Sequence, residues 1–325
     1  MAAQTLLSPL ERQLPSMAGA TSWLNSPPLT FSDLHGKVVL VSFWTSACVH
    51  WLRQLPYLRA WNAAYPRHGL VIIGAHTPQF GFGRDVANVA RAVRELDIRF
   101  PVAVDSNYAV WTAFSNRCWP ALYFVDARGR IRRYHFGEGG YSYSELLLRQ
   151  LLVGAGSATQ FSGAAPVVAA GGALAADGHD LKSSETHIGY RRSTNFASAG
   201  GSMPGSRHDY TTPRALRRNE WALAGEWTIT EEAATLHAPH GKISFRFHAR
   251  DLNLVMGLPT PGAAVRFRVL IDGQPPGTAN GEDVDENGFG VAVHQRLHQR
   301  GPITDHLFEI TFDDPEIQVF VFTFC

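Results

Sequence analysis

Cysteine is scarce in this chain: 325 residues contain three, Cys48, Cys118 and Cys325. So few cannot staple a disulfide-built scaffold, and an odd number leaves at least one thiol free or pairing between chains. Net charge is also missing. Lys and Arg total 29 against 28 Asp and Glu, so no electrostatic surplus draws the chain to nucleic acid or to an acidic membrane. No apolar run reaches the length of a membrane-spanning helix, which predicts no membrane insertion. Glu11 and Arg12 interrupt the stretch from Met1 to Pro28, where an export signal needs unbroken apolar residues. As written, the chain is expected to be soluble, unexported and cytoplasmic. Its 14 histidines lack zinc spacing; His237 and His240 lie three apart with no cysteine near them, and no metal or cofactor is assigned.

What is present is ample core material. A hydrophobic content of 45% with 18% charged residues is that of an ordinary globular protein, and 325 residues exceed what one core usually serves, so two domains are expected. From Lys37 the pattern alternates strand and helix: Val38–Phe43, a helix from Cys48 to about Tyr65, Leu70–Ala75, and a helix over Asp85–Leu96. Phe100–Val104, a helical turn near Ala109–Phe114, Ala121–Asp126, Ile131–Phe136 and a helix from Ser142 to Leu152 follow. This predicts an α/β domain with a central sheet. Ala127-Arg128-Gly129-Arg130 reads as a tight turn, so the sheet should end in an antiparallel pair. Residues 154–183 turn to Gly, Ala and Ser and read as a linker. Beyond Trp221 the period becomes two, with Ile243, Phe245 and Phe247 alternating with polar neighbours, which predicts an all-β sandwich over residues 184–325.

Cys48 falls where the strand Val38–Phe43 hands over to the first helix. Unpaired N–H groups and the macrodipole at a helix N-terminus stabilise a thiolate, and His50 stands two residues on to add positive charge. The alternative is a small, partly buried hydrophobe. Taken together, Phe43-Trp44-Thr45-Ser46-Ala47-Cys48-Val49-His50-Trp51-Leu52-Arg53 resembles a thioredoxin active site in which Trp51 stands where the second cysteine of Cys-x-x-Cys belongs. The resemblance extends to Trp23-Leu24-Asn25, Leu55-Pro56-Tyr57, Trp119-Pro120-Ala121, His135-Phe136-Gly137-Glu138-Gly139, Trp221 to Trp227, Phe245–Met256 and Phe267–Gly277. Such an order of segments is similar to the soluble part of DipZ-type proteins, in which a thioredoxin domain precedes a β-sandwich likened to carbohydrate-binding modules.

That resemblance implies a thioredoxin fold over residues 21–153 after an N-terminal extension of residues 1–20. It implies thiol–disulfide exchange at Cys48 with a thiol or disulfide substrate, a cis peptide at Pro120, and a substrate wall from Trp44, Thr45, Trp51, Trp119 and Pro120. A glycan or protein ligand is expected on the sandwich. Relatives of this type usually work outside the cytoplasm. Two departures weaken the inherited activity: Trp51 replaces the resolving cysteine, and Ser42 stands where thioredoxins commonly carry a buried aspartate. Exchange passes through a mixed disulfide that a second thiol must resolve, so chemistry here is expected to be monothiol, with a decayed peptide-docking or glycan-binding module as the competing reading.

Cys118 is a candidate replacement for the missing partner of Cys48, but strand alternation turns it away from the face of Trp119, and burial in the sheet is expected. Thr45-Ser46-Ala47-Cys48 matches the Thr-x-x-Cys of peroxiredoxins, with Arg53 or Arg117 as the accompanying arginine. Asp283, Asp285, Asn287 and Gly288 imitate the start of a calcium loop, but His294 replaces the closing carboxylate, so a hairpin loop is expected. Trp221, Trp227 and Tyr210 are candidates for a sugar-stacking platform, against a reading as core aromatics.

Overall fold

Val38–Trp44 is buried along all seven residues, as a continuous β-branched run requires of a strand covered on both faces. It lies at the centre of the first of two units, Met1–Ala175 and Ala176–Cys325, into which the chain divides. The computed structural model describes residues 12–157, 161, 180–257, 265–279, 284–291, 294–298 and 303–324. Most of the expected linker, Asp283 and Cys325 lie outside the described residues.

In chain order the first unit contains β1 (Arg12–Gln13), β2 (Ser22–Leu24), α1 (Phe31–Leu34), β3 (Val38–Trp44), α2 (Val49–Ala64) and β4 (Leu70–His76). There follow α3 (Val86–Glu95), β5 (Val102–Val104), α4 (Ala109–Ala113), β6 (Ala121–Val125), β7 (Arg130–Phe136) and α5 (Tyr141–Gly154). The sheet order is β1-β7-β6-β3-β4-β5-β2, with β3, β4 and β5 parallel and the remaining pairs antiparallel. This is a thioredoxin fold. Residue alternation splits its core across the sheet: Val38, Leu40 and Trp44 pack with Leu55 and Leu58 of α2 and Leu148 of α5, whereas Val39, Val41 and Phe43 pack with Val110 of α4 and Phe114.

The expected hairpin between β6 and β7 is present. Asp126 Oδ1 accepts from the backbone of Arg128 and of Arg130, both at 3.0 Å, and Gly129 takes the positive φ of 76° that the turn needs. Two edge strands were not foreseen, because segments as short as β1 and β2 show no period and owe their form to the strand they pair with. The strand expected from Phe100 begins at Val102, since Pro101 has no N–H to give a ladder.

The second unit is built from β8 (Thr186–His187), β9 (Arg207–Tyr210), β10 (Trp221–Ile229), β11 (Ala234–Leu236), β12 (Gly241–His248) and β13 (Asp251–Gly257). It continues with β14 (Arg266–Ile271), β15 (Phe289–Val291), β16 (His294–His298), β17 (Asp305–Phe312) and β18 (Gln318–Phe324). Among the described residues, these strands pair with one another antiparallel throughout. β10 joins two layers: Trp221–Ala224 pair with β12, whereas residues 225–229 pair with β9 and β11. The strand bends at Gly225, whose φ is +90° and where a Cβ would stand 3.2 Å from Gly241 Cα, so only glycine fits without strain. The inward set Ile243, Phe245, Phe247, Phe267 and Val269 is fully buried as the alternation requires. Ser244 and His248, expected on the outer face of β12, are buried as well.

Candidate active site

Cys48 is the N-cap of α2, held in extended conformation at φ −93° and ψ 104°. Its backbone N–H donates to Thr45 O at 3.1 Å, and its carbonyl accepts from Trp51 and Leu52 at 3.1 Å each, which closes the first turn. The strand-to-helix junction read from the sequence is therefore real, and the helix dipole points its positive end at the thiol. The residue is 8% exposed.

Trp51 is wholly buried and its ring turns into the core. It stacks on Trp44 at 4.3 Å between centroids, and its Nε1 donates to Ser42 Oγ at 3.1 Å. Ser42 in turn lies 3.5 Å from Gln54 Oε1. Trp51 and Ser42, the two residues read from the sequence as departures from the thioredoxin pattern, thus contact each other, and a hydroxyl meets the indole N–H. Trp44 and Trp51 were expected on a substrate wall; both have 0% exposure and present no surface. For Trp44 the cause is strand alternation, which points it to the α2 side with Val38 and Leu40.

His50 is the more open neighbour, with a side chain 32% exposed. Its Nδ1 lies 2.9 Å from Glu138 Oε2, and Arg53 NH1 reaches the same oxygen at 3.6 Å. Glu138 sits between β7 and α5 on a turn whose Gly137 N–H donates to Pro120 O at 2.8 Å. Trp119-Pro120 is a cis peptide. Phe43 of β3 pairs with Ala121 of β6, which places the chain entering Cys48 and the chain leaving Pro120 at one end of the sheet. Trp119 is half-buried against the same core cluster as Cys48 and tilts onto Trp111, 4.4 Å away. The sequence reading missed Glu138 and Trp111 as site residues; Glu138 was legible only as part of the Gly137-Glu138-Gly139 stretch.

The remaining candidates disperse. Thr45 is buried, Arg53 is taken up by Glu138, and the Arg117 guanidinium lies 5.2 Å over the Phe136 ring. Cys118 is half-buried ahead of β6 rather than within a strand, its Sγ near Pro120 O at 3.8 Å, and burial raises its thiol pKa. No disulfide joins Cys48 to Cys118.

The model of the AhpC/TSA family matches residues 13–134, and that of the thioredoxin-like C-terminal domain matches residues 183–325. The protein DipZ of Mycobacterium tuberculosis is 36% identical over 269 residues, 80% of this chain and 36% of that protein. The chain carries an AhpC/TSA-type redoxin domain followed by a thioredoxin-like C-terminal domain. It spans about a third of the length of DipZ, by its 36% coverage. The redoxin unit is also 27% identical over 143 residues to the thiol-disulfide oxidoreductase YkuV of Bacillus subtilis, covering 44% of this chain and 96% of that one. A solved thioredoxin-like protein in its oxidised form aligns at 28% identity and TM-score 0.41, over 44% of this chain and 97% of that one. Among the described residues of this redoxin, no helix is long and apolar enough to cross a membrane.

The sugar-platform candidates of the second unit are core residues. Trp221 and Trp227 have 0% exposure and Tyr210 1%, and their polar atoms bond inward: Trp221 Nε1 to Thr194 O, Trp227 Nε1 to Ala224 O, and Tyr210 Oη from Met203 N. The alternation Trp221, Leu223, Trp227, Ile229 carries the signal that places both indoles inside. Of the calcium-like residues, Asp285 accepts from the backbone of Asn287 and Phe289, each at 2.9 Å, as a hairpin turn requires. His237 bonds Thr228 Oγ1.

Proposed function

We propose that this redoxin carries out monothiol exchange, with Cys48 as nucleophile, His50 as its acid–base neighbour, and Trp119 and Pro120 as the wall against which an extended substrate lies. The observation that carries the reading is the Trp51 indole, buried and bonded to Ser42, three residues after a helix-capping cysteine. The Cys48 thiolate attacks one sulfur of a substrate disulfide; a new S–S bond forms at Cys48, the old one breaks, and the departing thiolate takes up the proton that Cys48 gave. Trp51 cannot resolve the product, so an external thiol must attack it, returning Cys48 to the thiol and carrying the substrate sulfur away as a disulfide. The substrate is a protein or small-molecule thiol or disulfide, a class supported by the names of YkuV and of the thiol-disulfide oxidoreductase ResA of Bacillus cereus, 26% identical over 115 residues. The sandwich serves attachment or recognition of a glycan or protein, at a surface other than Trp221, Trp227 and Tyr210.

A second reading, a docking module without turnover, is favoured by the 8% exposure of Cys48. Incubation with glutathione disulfide separates the two. The monothiol protein acquires one glutathione on Cys48 by mass spectrometry, releases it to added thiol, and shows no catalytic reduction of insulin. Turnover at the level of a dithiol thioredoxin defeats the monothiol reading, and absence of any adduct on native protein favours the docking module.

A further inference from the structure

Resting on that thiol-exchange reading, we infer that Glu138 is a positioning residue for it: the carboxylate fixes His50 in the tautomer and orientation that serve Cys48. The chain is shaped to deliver this group. Gly137, Gly139 and Gly140 surround it at φ values of 90°, 91° and 63°, a left-handed succession that residues with a Cβ resist. The same turn is tied to Pro120 by the Gly137 N–H, which donates to its carbonyl at 2.8 Å.

Glu138 meets two residues spaced three apart on one face of α2, His50 and Arg53. Their exposures differ in a telling order: Arg53 is 7% exposed, Glu138 17% and His50 32%. The cation is the buried member, and it offsets the charge of the carboxylate that meets His50. Glu138 then acts on His50 through geometry. A carboxylate on Nδ1 holds the ring proton there and leaves Nε2, on the most exposed of the three side chains, as the proton acceptor. A Glu138–Arg53 pair serving structure alone would need no histidine at 2.9 Å. Of the other titratable groups near the turn, burial raises the pKa of the Tyr141 phenol and of the Cys118 thiol and lowers that of the His135 imidazole, whose Nε2 lies 3.5 Å from Glu138 O, so these three are neutral near pH 7.

The test measures the rate of Cys48 alkylation by iodoacetamide against pH, in the 325-residue chain carrying Cys118→Ser and Cys325→Ser. Glu138→Gln should slow the reaction by about tenfold at pH 7, the scale of an outer partner's effect on a histidine, and converge with the parent at high pH, where the thiol ionises unaided. His50→Ala should do the same, and the double variant should be no slower than His50→Ala alone. A Glu138→Gln profile that superimposes on the parent, or an effect that simply adds to His50→Ala, overturns the inference while leaving thiol exchange intact. A native parent whose Cys48 does not react at all removes the exchange reading and this inference with it. Ring-nitrogen NMR shifts of His50 in the unmutated protein give an independent reading that needs no variant to fold: Nδ1–H is expected, and an Nε2–H tautomer contradicts the assignment.

Discussion

The Nε1 of Trp51 donates to the Oγ of Ser42 across 3.1 Å, joining α2 to β3 inside the core of the redoxin unit. Both positions differ from the dithiol pattern, and they differ together. An indole N–H buried without an acceptor costs about 1–3 kcal/mol, so either change alone is expected to be worse than the pair.

Ser42→Ala should therefore lower the unfolding free energy by about 1–3 kcal/mol, while Ser42→Ala combined with Trp51→Phe should lose less than the two single losses summed. Urea denaturation of the four proteins closes this cycle. Strict additivity would show that the hydrogen bond contributes nothing.

Trp51→Cys rebuilds Cys-x-x-Cys in sequence but removes an indole stacked on Trp44. The cavity should cost roughly 3–5 kcal/mol. Insulin reduction by this variant is expected to appear yet stay well below that of a dithiol thioredoxin, because Ser42 offers no carboxylate to move the second thiol's proton. Full activity from the single change would mean that the indole is only a plug.

Acid should destabilise the redoxin unit through His76. This residue is fully buried with neither ring nitrogen hydrogen-bonded among the described residues, its ring edge against Trp44, and burial lowers its pKa from 6.5 to about 3. The unfolded chain binds a proton that the folded chain refuses. Stability is therefore complete above about pH 6.5 and falls as the pH drops toward 3, by about 2 kcal/mol at pH 5. His135, whose pKa burial also lowers, adds loss of the same sign. His76→Phe should flatten the stability profile between pH 6.5 and 5, which chemical denaturation at several pH values reads directly.

Cys118 should react slowly with iodoacetamide in the native protein. Burial disfavours its thiolate, so alkylation should rise only above the range near pH 8.5 in which an exposed cysteine ionises. Peptide mapping after labelling at pH 7 and at pH 9.5 distinguishes it from Cys48, and equal labelling of Cys118 at both values contradicts this account.

The alternation of β-branched runs with helical periods was enough to order the strands and helices from Val38 to α5, and to place Cys48 at a strand-to-helix junction. The switch to period two did the same for the strands after Trp221. These are properties of neighbours in the chain, and backbone geometry enforces them locally. The edge strands β1 and β2 and the inward turn of Trp51 onto Ser42 belong to tertiary structure. So does the approach of Glu138 to His50 across 88 residues. Each depends on which surfaces meet once the sheets close, and side chains of Trp, His and Glu take their partners from that packing rather than from their own segment.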